Sequence, residues 1–329
     1  MSRILILIQG HEVPGSRYRI LQYVPFLESR GMECTVMKFP GSLAEHGRLL
    51  SILPNFETVF VQKKRIHGLF LKLFRKRARR IVYDFDDAVM YNDSFSATSH
   101  STTRRKRFAD MVRRSDHVIA GNSFLVERAL EYHDRVSLVP TSLDISGGIP
   151  VRGCKPDPGK VTIGWIGSRA TIRYLEAFRD VLEDVGRRYP SRAELKIICD
   201  TFFDCVHIPV NKVVWSKDTE YDEIRDIDIG IMPLSDDPWS RGKCGFKLLQ
   251  YFAAGVPAVC SPVGVNRDLV QPGVTGFWAQ TAAEWVEHLS RLIDEPDLRK
   301  EMGLAGRALL ERGYTVEVNG PRLHSILKG

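Results

Sequence analysis

The stretch from Ile229 to Gly276 holds the densest set of residues able to do chemistry in this 329-residue chain. The apolar run Ile229-Gly-Ile-Met-Pro-Leu234 leads into a polar loop. That loop ends in Arg241-Gly242-Lys243-Cys244-Gly245 and opens straight into a helical stretch from Phe246. Amides at a helix start lack carbonyl partners, and the helix dipole is positive there, so Gly245 and Phe246 suit an anion. Lys243 and Lys247 add point charges that fit phosphate. A lysine in a first helical turn is usually a solvated surface residue, so Lys247 alone says little. A second such junction follows Val161–Ile166, where Gly167-Ser168-Arg169-Ala170-Thr171 turns into a helix. A third follows Ile4–Ile8, where a polar loop carries His11, Gly15, Arg17 and Arg19. Arg17 and Arg19 there can meet an acceptor or a phosphate, and solvent exposure is equally consistent. Asp84-Phe85-Asp86-Asp87 closes the run Ile81–Tyr83. Such a cluster is either loop and N-cap chemistry or a carboxylate able to orient a hydroxyl or take its proton.

The elements that must position these groups alternate. Short continuous apolar runs at 3–8, 34–39, 58–61, 81–83, 117–120 and 136–139 read as buried parallel strands. Helical patterns near 20–27, 66–80, 104–114 and 124–132 separate them. Gly147, Gly148, Pro150, Gly153, Pro156, Pro158 and Gly159 then crowd into a boundary composition. A second series follows, with strands at 161–166, 195–199, 212–215, 227–232 and 258–260 and one helix over 174–188. The alternation predicts an α/β chain with two Rossmann-like, doubly wound parallel-sheet domains facing across a cleft. No fixed repeat or low-complexity stretch is present.

Composition bounds the class. At 43% hydrophobic and 26% charged residues the chain is of ordinary soluble type. The apolar start ends at Gln9-Gly10-His11, too short for a spanning helix, and leads us to expect a cytoplasmic protein. Six scattered cysteines form neither a CxxC pair nor a zinc spacing, so no metal or disulfide is expected. Residues 1–150 hold 23 of the 47 Lys and Arg but 15 of the 40 Asp and Glu, so the whole basic surplus lies there. That asymmetry predicts an anionic partner for the first half. Between Lys63 and Arg80 nine cations accompany an apolar stripe of Ile66, Leu69, Phe70, Leu73 and Phe74. We read the stripe as packing on the sheet, with the basic outer face and Arg104-Arg105-Lys106-Arg107 left to dock on an anionic membrane surface.

The second half resembles the C-terminal signature of family-4 glycosyltransferases, which reads K-x-x-E-Y-x-A-x-G followed by P-V-V-x-S. Here those positions are Lys247-Leu-Leu-Gln250-Tyr251-Phe-Ala253-Ala-Gly255, then Pro257-Ala-Val-Cys-Ser261. The likeness continues through Gly264, Gly273-Val-Thr-Gly276-Phe277 and Trp285 to Tyr314, and upstream through Val139–Asp144 and Gly164–Ser168. The resemblance implies a GT-B protein with an N-terminal acceptor domain (1–150), a C-terminal donor domain (151–315) and a last segment (316–329) packing back on the first. It implies sugar transfer from a nucleotide-diphosphate donor to a glycan, lipid-linked or small-molecule acceptor, with retained configuration. Neither metal nor other cofactor is expected. Lys247 would bind the diphosphate, helped by Ser168, Thr171 and Gly167. Gln250 would meet the ribose, Trp215 the nucleobase, and Gly15 would let the backbone approach the phosphates.

Two positions depart from the family pattern. Gly242 stands where a first glutamate is usual, and Gln250 where a second is. Asp86 and Asp87 occupy the place of a histidine, as candidate catalytic carboxylates. These departures keep open a non-catalytic, nucleotide-sugar-binding partner of an active enzyme. A Rossmann oxidoreductase lacks its G-x-G-x-x-G, and no nucleic-acid motif accompanies the basic half.

Overall fold

The computed structural model of the protein describes residues 2–149, 151 and 159–329. The chain divides into two compact units. One comprises residues up to Asp144 together with Asp237–Cys244 and Tyr314–Gly329, the other Ile145–Asp236 with Gly245–Gly313. The expected boundary cluster from Pro150 to Pro158 lies mostly outside the described residues.

The first unit is built on six parallel strands: β1 (Ser2–Ile8), β2 (Met32–Lys38), β3 (Thr58–Gln62), β4 (Ile81–Phe85), β5 (His117–Ala120) and β6 (Val136–Leu138). They lie in the order β2-β1-β3-β4-β5-β6. The second sheet is also all parallel, with β7 (Val161–Ile166), β8 (Ala193–Cys199), β9 (Val210–Val214), β10 (Ile229–Met232), β11 (Ala258–Cys260) and β12 (Gly276–Trp278) in the order β12-β11-β10-β7-β8-β9. Helices cover both faces of each sheet, which is why the central strands are apolar throughout rather than alternating. β1, β3, β4 and β7 bury every one of their central side chains. Each order reverses once, between β1 and β3 and between β7 and β10. Ligands of such sheets bind beyond the carboxyl ends of the strands at that reversal.

Several elements differ from the sequence expectation. The loop expected at Pro14-Gly15-Ser16 is the first turn of the helix Pro14–Arg19, because Pro14 has the φ a helix start needs. The helix expected over 174–188 is two, Ile172–Glu176 and Arg179–Arg188, separated where Phe178 turns in to meet Trp285, ring centroids 4.5 Å apart. The helix expected from Ile66 starts at Gly68 and runs to Arg77. It buries Leu71 and Phe74, while Leu69 is 71% and Leu73 40% exposed, so the predicted stripe does not pack on the sheet as a whole. The helix Leu43–Ile52 carries a capping box from Ser42 and Glu45. The last helix, Val316–Lys328, packs Val316, Leu323, Ile326 and Leu327 against Ile4, Ile6 and Phe60 of the first sheet. Thr58 and Arg80 donate hydrogen bonds to its final carbonyls at Leu327 and Ile326. Among the described residues no helix is long and apolar enough to cross a membrane.

One buried ion pair fixes the helix after β1 to the end of β4. Arg19 and Asp84 have side chains 2% exposed and are joined through two guanidinium nitrogens, Nε reaching Oδ2 at 3.3 Å. Arg19 Nη1 also donates to the Val139 carbonyl at 2.8 Å. Burial works against the guanidinium charge, but the Asp84 carboxylate outweighs it and holds Arg19 above its ordinary pKa. Arg19 is thus a structural cation, buried and donating to Asp84, Val139 and Thr141 inside the unit, which corrects the expectation that it meets an acceptor. Arg19→Met leaves Asp84 buried without its cation and should cost about 3–5 kcal/mol at neutral pH. Without Arg19 the folded Asp84 titrates above its unfolded value of about 3.9, so part of the loss is recovered as pH falls toward that value. Urea unfolding at two pH values measures this, and a small, pH-independent loss would contradict it.

Candidate functional site

In the second unit the groups singled out from the sequence meet at the reversal between β7 and β10. β7 ends in Trp165-Ile166-Gly167, and the Trp165 ring folds over Gly167, where any Cβ would overlap it. Lys247, in the first turn of the helix Phe246–Ala253, lies over the same ring with Nζ 5.4 Å from its centroid. This cation–π contact holds the ammonium at the end of β7. The helix is seated by Tyr251, whose ring covers Gly230 of β10 and whose hydroxyl accepts from the Ile166 amide at 3.3 Å. That hydroxyl also reaches the carbonyls of Gly164 and Ile231 at 3.3 and 3.2 Å.

Gly245 precedes the first turn of the helix in the left-handed region, φ 67°, and has no side chain of its own to cap it. A Cβ at Gly245 would overlap Leu269, so the position is closed to other residues by both space and φ. Ser168 and Thr171 are more self-contained than the sequence implied. The Thr171 hydroxyl accepts from the Ser168 amide at 3.0 Å and lies 3.1 Å from the Ser168 carbonyl, making a closed turn at the end of β7.

Gln250 is one turn beyond Lys247 and 2% exposed. Its Nε2 donates to Glu220 Oε1 at 2.6 Å, and Trp215 Nε1 donates to the same oxygen at 3.2 Å. Glu220, 3% exposed in the first turn of the helix Glu220–Arg225, went unnoticed in the sequence. Nothing in Thr219-Glu220-Tyr221-Asp222-Glu223 distinguishes the buried acid from its solvated neighbours.

The first unit gathers a separate group at the ends of β1, β3 and β4. Asp86 and Asp87 follow β4, and Lys63, just past β3, pairs with Asp87 while its Nζ stands 3.3 Å from Asp86 Oδ1. Lys63 takes a left-handed backbone, φ 58°, to do so. Burial disfavours its charge, but the two carboxylates hold it above the usual lysine pKa. Gly15 faces this group: a Cβ there would lie 3.7 Å from Asp86 Oδ2 and 3.4 Å from Gln62 Nε2. Gln62, buried in β3, accepts from Ser16 Oγ at 2.7 Å and from the Gln9 amide at 3.3 Å. Arg17 rests on Tyr18, its guanidinium 4.9 Å from the ring centroid.

Asp237–Cys244, the segment before Gly245, is clamped onto these same residues. Asn122 Nδ2 donates to the carbonyls of Arg241 and Lys243 at 3.1 and 2.9 Å. Cys244 Sγ lies 3.2 Å from the Asp86 carbonyl. Lys243 extends its own ammonium over Trp239, 5.8 Å from the ring centroid. Gly242 presses on the backbone of Ala88, where a Cβ would come 2.5 Å from Ala88 Cβ and 2.7 Å from its amide nitrogen. The missing glutamate at this position is therefore a matter of packing: no side chain fits. Among the described residues no three His, Cys, Asp or Glu side chains are grouped as metal ligands.

Comparison with known proteins bears on the fold and on the family of the second half. Residues 169–295 match the family model described as glycosyl transferases group 1. No curated protein matches the chain by sequence. The fold is similar to that of Anabaena Alr3699/HepE, solved in complex with UDP and glucose, with TM-score 0.74 and 13% identity over 100% of both chains. It is also similar to sucrose-phosphate synthase from Thermosynechococcus elongatus, with TM-score 0.75 and 12% identity over 100% of this chain and 98% of that one. A glycosyltransferase from Rickettsia africae aligns with TM-score 0.71 and 13% identity over 99% and 98% of the two chains. At these identities the likeness carries the fold, which is GT-B. Together with the sequence match over 169–295 it supports a GT-B glycosyltransferase.

Proposed function

We propose that the chain moves a sugar from a nucleotide-diphosphate donor to an acceptor hydroxyl, with retention of configuration and without a metal. The observation that carries this reading is the start of the helix Phe246–Ala253, opened by a left-handed glycine and flanked by a lysine pinned at the end of β7. A diphosphate there gains charge as the sugar departs, and Lys247 with the helix-start amides stabilises it where a divalent cation otherwise would. Gln250, on the same face one turn on, meets the ribose, and Trp215 the base. The UDP held by the structurally similar Alr3699/HepE makes uracil the first base to try.

On the acceptor side we assign Asp86 to orient the incoming hydroxyl, with Asp87 held by Lys63. A carboxylate oxygen at that position can accept a hydrogen bond from the nucleophile. A second reading, a nucleotide-sugar-binding partner that transfers nothing, is favoured by Gly242, which has no room for a carboxylate. Donor turnover decides between them: release of UDP from UDP-sugar in the presence of acceptor extracts supports transfer.

The acceptor we favour is lipid-linked, as in cell-surface glycan synthesis. Leu69, Lys72, Leu73 and Lys76 are exposed and follow one another at helical spacing, forming a leucine and lysine line on the outer face of the first unit. Vesicles rich in phosphatidylglycerol should sediment the protein at low salt and release it as salt rises, each surface cation contributing about 1 kcal/mol. Leu69→Ser with Leu73→Ser should weaken binding without loss of stability. No binding to acidic vesicles at low salt would remove the membrane assignment.

For the donor, thermal-shift measurements with the nucleoside diphosphates should reveal one strong stabiliser, worth about 2.7 kcal/mol at 100 times its dissociation constant. Lys247→Ala should abolish that shift. An unchanged shift in the variant would put the phosphates elsewhere.

A further inference from the structure

We infer that Glu220 is the carboxylate of the donor site, and that residue 250 is an amide because Glu220 stands beside it. Glu220 acts as a positioning residue that sets which way Gln250 faces the nucleotide. The inference rests on the proposed nucleotide site and extends it to a residue outside the Lys247–Gly255 signature.

An ionised carboxylate only accepts hydrogen bonds, whereas a glutamine amide has a donating end and an accepting end. With Glu220 Oε1 2.6 Å from the Gln250 nitrogen, chemistry fixes the amide: its NH2 must face Glu220. The Gln250 carbonyl oxygen is thereby committed to the opposite side, where it offers a ribose diol the acceptor that the resembled signature draws from a glutamate. Glu220 Oε1 also accepts from Trp215 Nε1 at 3.2 Å, so one buried oxygen orients both residues assigned to the nucleoside. Lys247 and Gln250 are three residues apart on the same helix and so lie on one face. A diphosphate at Lys247 therefore brings its ribose toward Gln250.

The same geometry explains the departure from the signature. A glutamate at 250 would place two carboxylates within hydrogen-bonding distance in a buried site, and both could not be ionised. One would retain a proton, and the pair would titrate as a unit. Acid at 220 and amide at 250 carry the same atoms without that conflict. Exchanging the two residues should therefore restore what either single change disturbs.

The test uses the full chain, UDP as probe, titration calorimetry for affinity and thermal unfolding for the pair itself. Glu220→Gln frees the amide to turn and should weaken UDP binding about tenfold, the value of one well-placed hydrogen bond. Gln250→Glu creates the carboxylate pair. Its shared proton titrates above the unfolded glutamate value, so its melting temperature should fall relative to the unmodified protein as pH rises from about 5 to 8. The exchange variant E220Q/Q250E should recover UDP affinity to within about threefold and lose the added pH dependence, since neighbouring changes that compensate are not additive. Losses that simply add in the exchange variant would overturn the inference, as would a Gln250→Glu protein whose melting shows no added pH dependence. UDP binding that all three variants leave unmoved would overturn it too, while leaving the nucleotide site standing. Absence of binding by the unmodified chain to any nucleoside diphosphate would overturn both.

Discussion

A helix start has backbone amides to satisfy, and what satisfies them decides how this protein is read. At several starts in the chain the residue just before the helix does so: Ser42, Ser101, Asn122, Asp237, Thr281 and Thr315 each accept from an amide of the turn they open. At Phe246 the preceding residue is glycine, which has no side chain to offer. That positive helix end, with Lys247 in its first turn, is where we propose that an anionic ligand binds.

Much of the surrounding packing serves to keep that end in place. Gly245 has to be glycine both for its backbone angle and because Leu269 fills the space beside it. Gly230 and Gly164, opposite each other in neighbouring strands, leave room for the Tyr251 ring and for Ile227. Tyr251 then fastens the helix to the carboxyl end of β7 through its hydroxyl. Gly167 lets Trp165 turn back under Lys247. Small residues here are the means by which an aromatic ring, a lysine and a helix end come to the reversal point of the sheet. In the first unit the logic is electrostatic instead. Arg19 and Asp84, then Lys63 with Asp86 and Asp87, knit the ends of the strands with paired charge.

The strands were legible because parallel strands covered on both faces must be apolar throughout, and Ile4–Ile8 and Val161–Ile166 show that plainly. The glycine-to-helix junction was legible because its chemistry is local. Other features depend on residues far apart in sequence. Arg19 looks like a loop cation until Asp84, 65 positions away, is placed against it. Gln250 looks like a weakened glutamate until Glu220 is seen to hold its amide. Gly242 looks like a lost carboxylate until Ala88 is found in the way. The helix Gly68–Arg77 carries two apolar lines, and periodicity identifies both without saying that Leu71 and Phe74 go inward while Leu69 and Leu73 stay out.

A crystal structure of the chain with UDP would show where a pyrophosphate sits. We expect phosphate oxygens within hydrogen-bonding distance of the amides that follow Gly245, with the Lys247 ammonium beside them. Phosphates bound at any other part of the chain, with that helix start left to water, would contradict it.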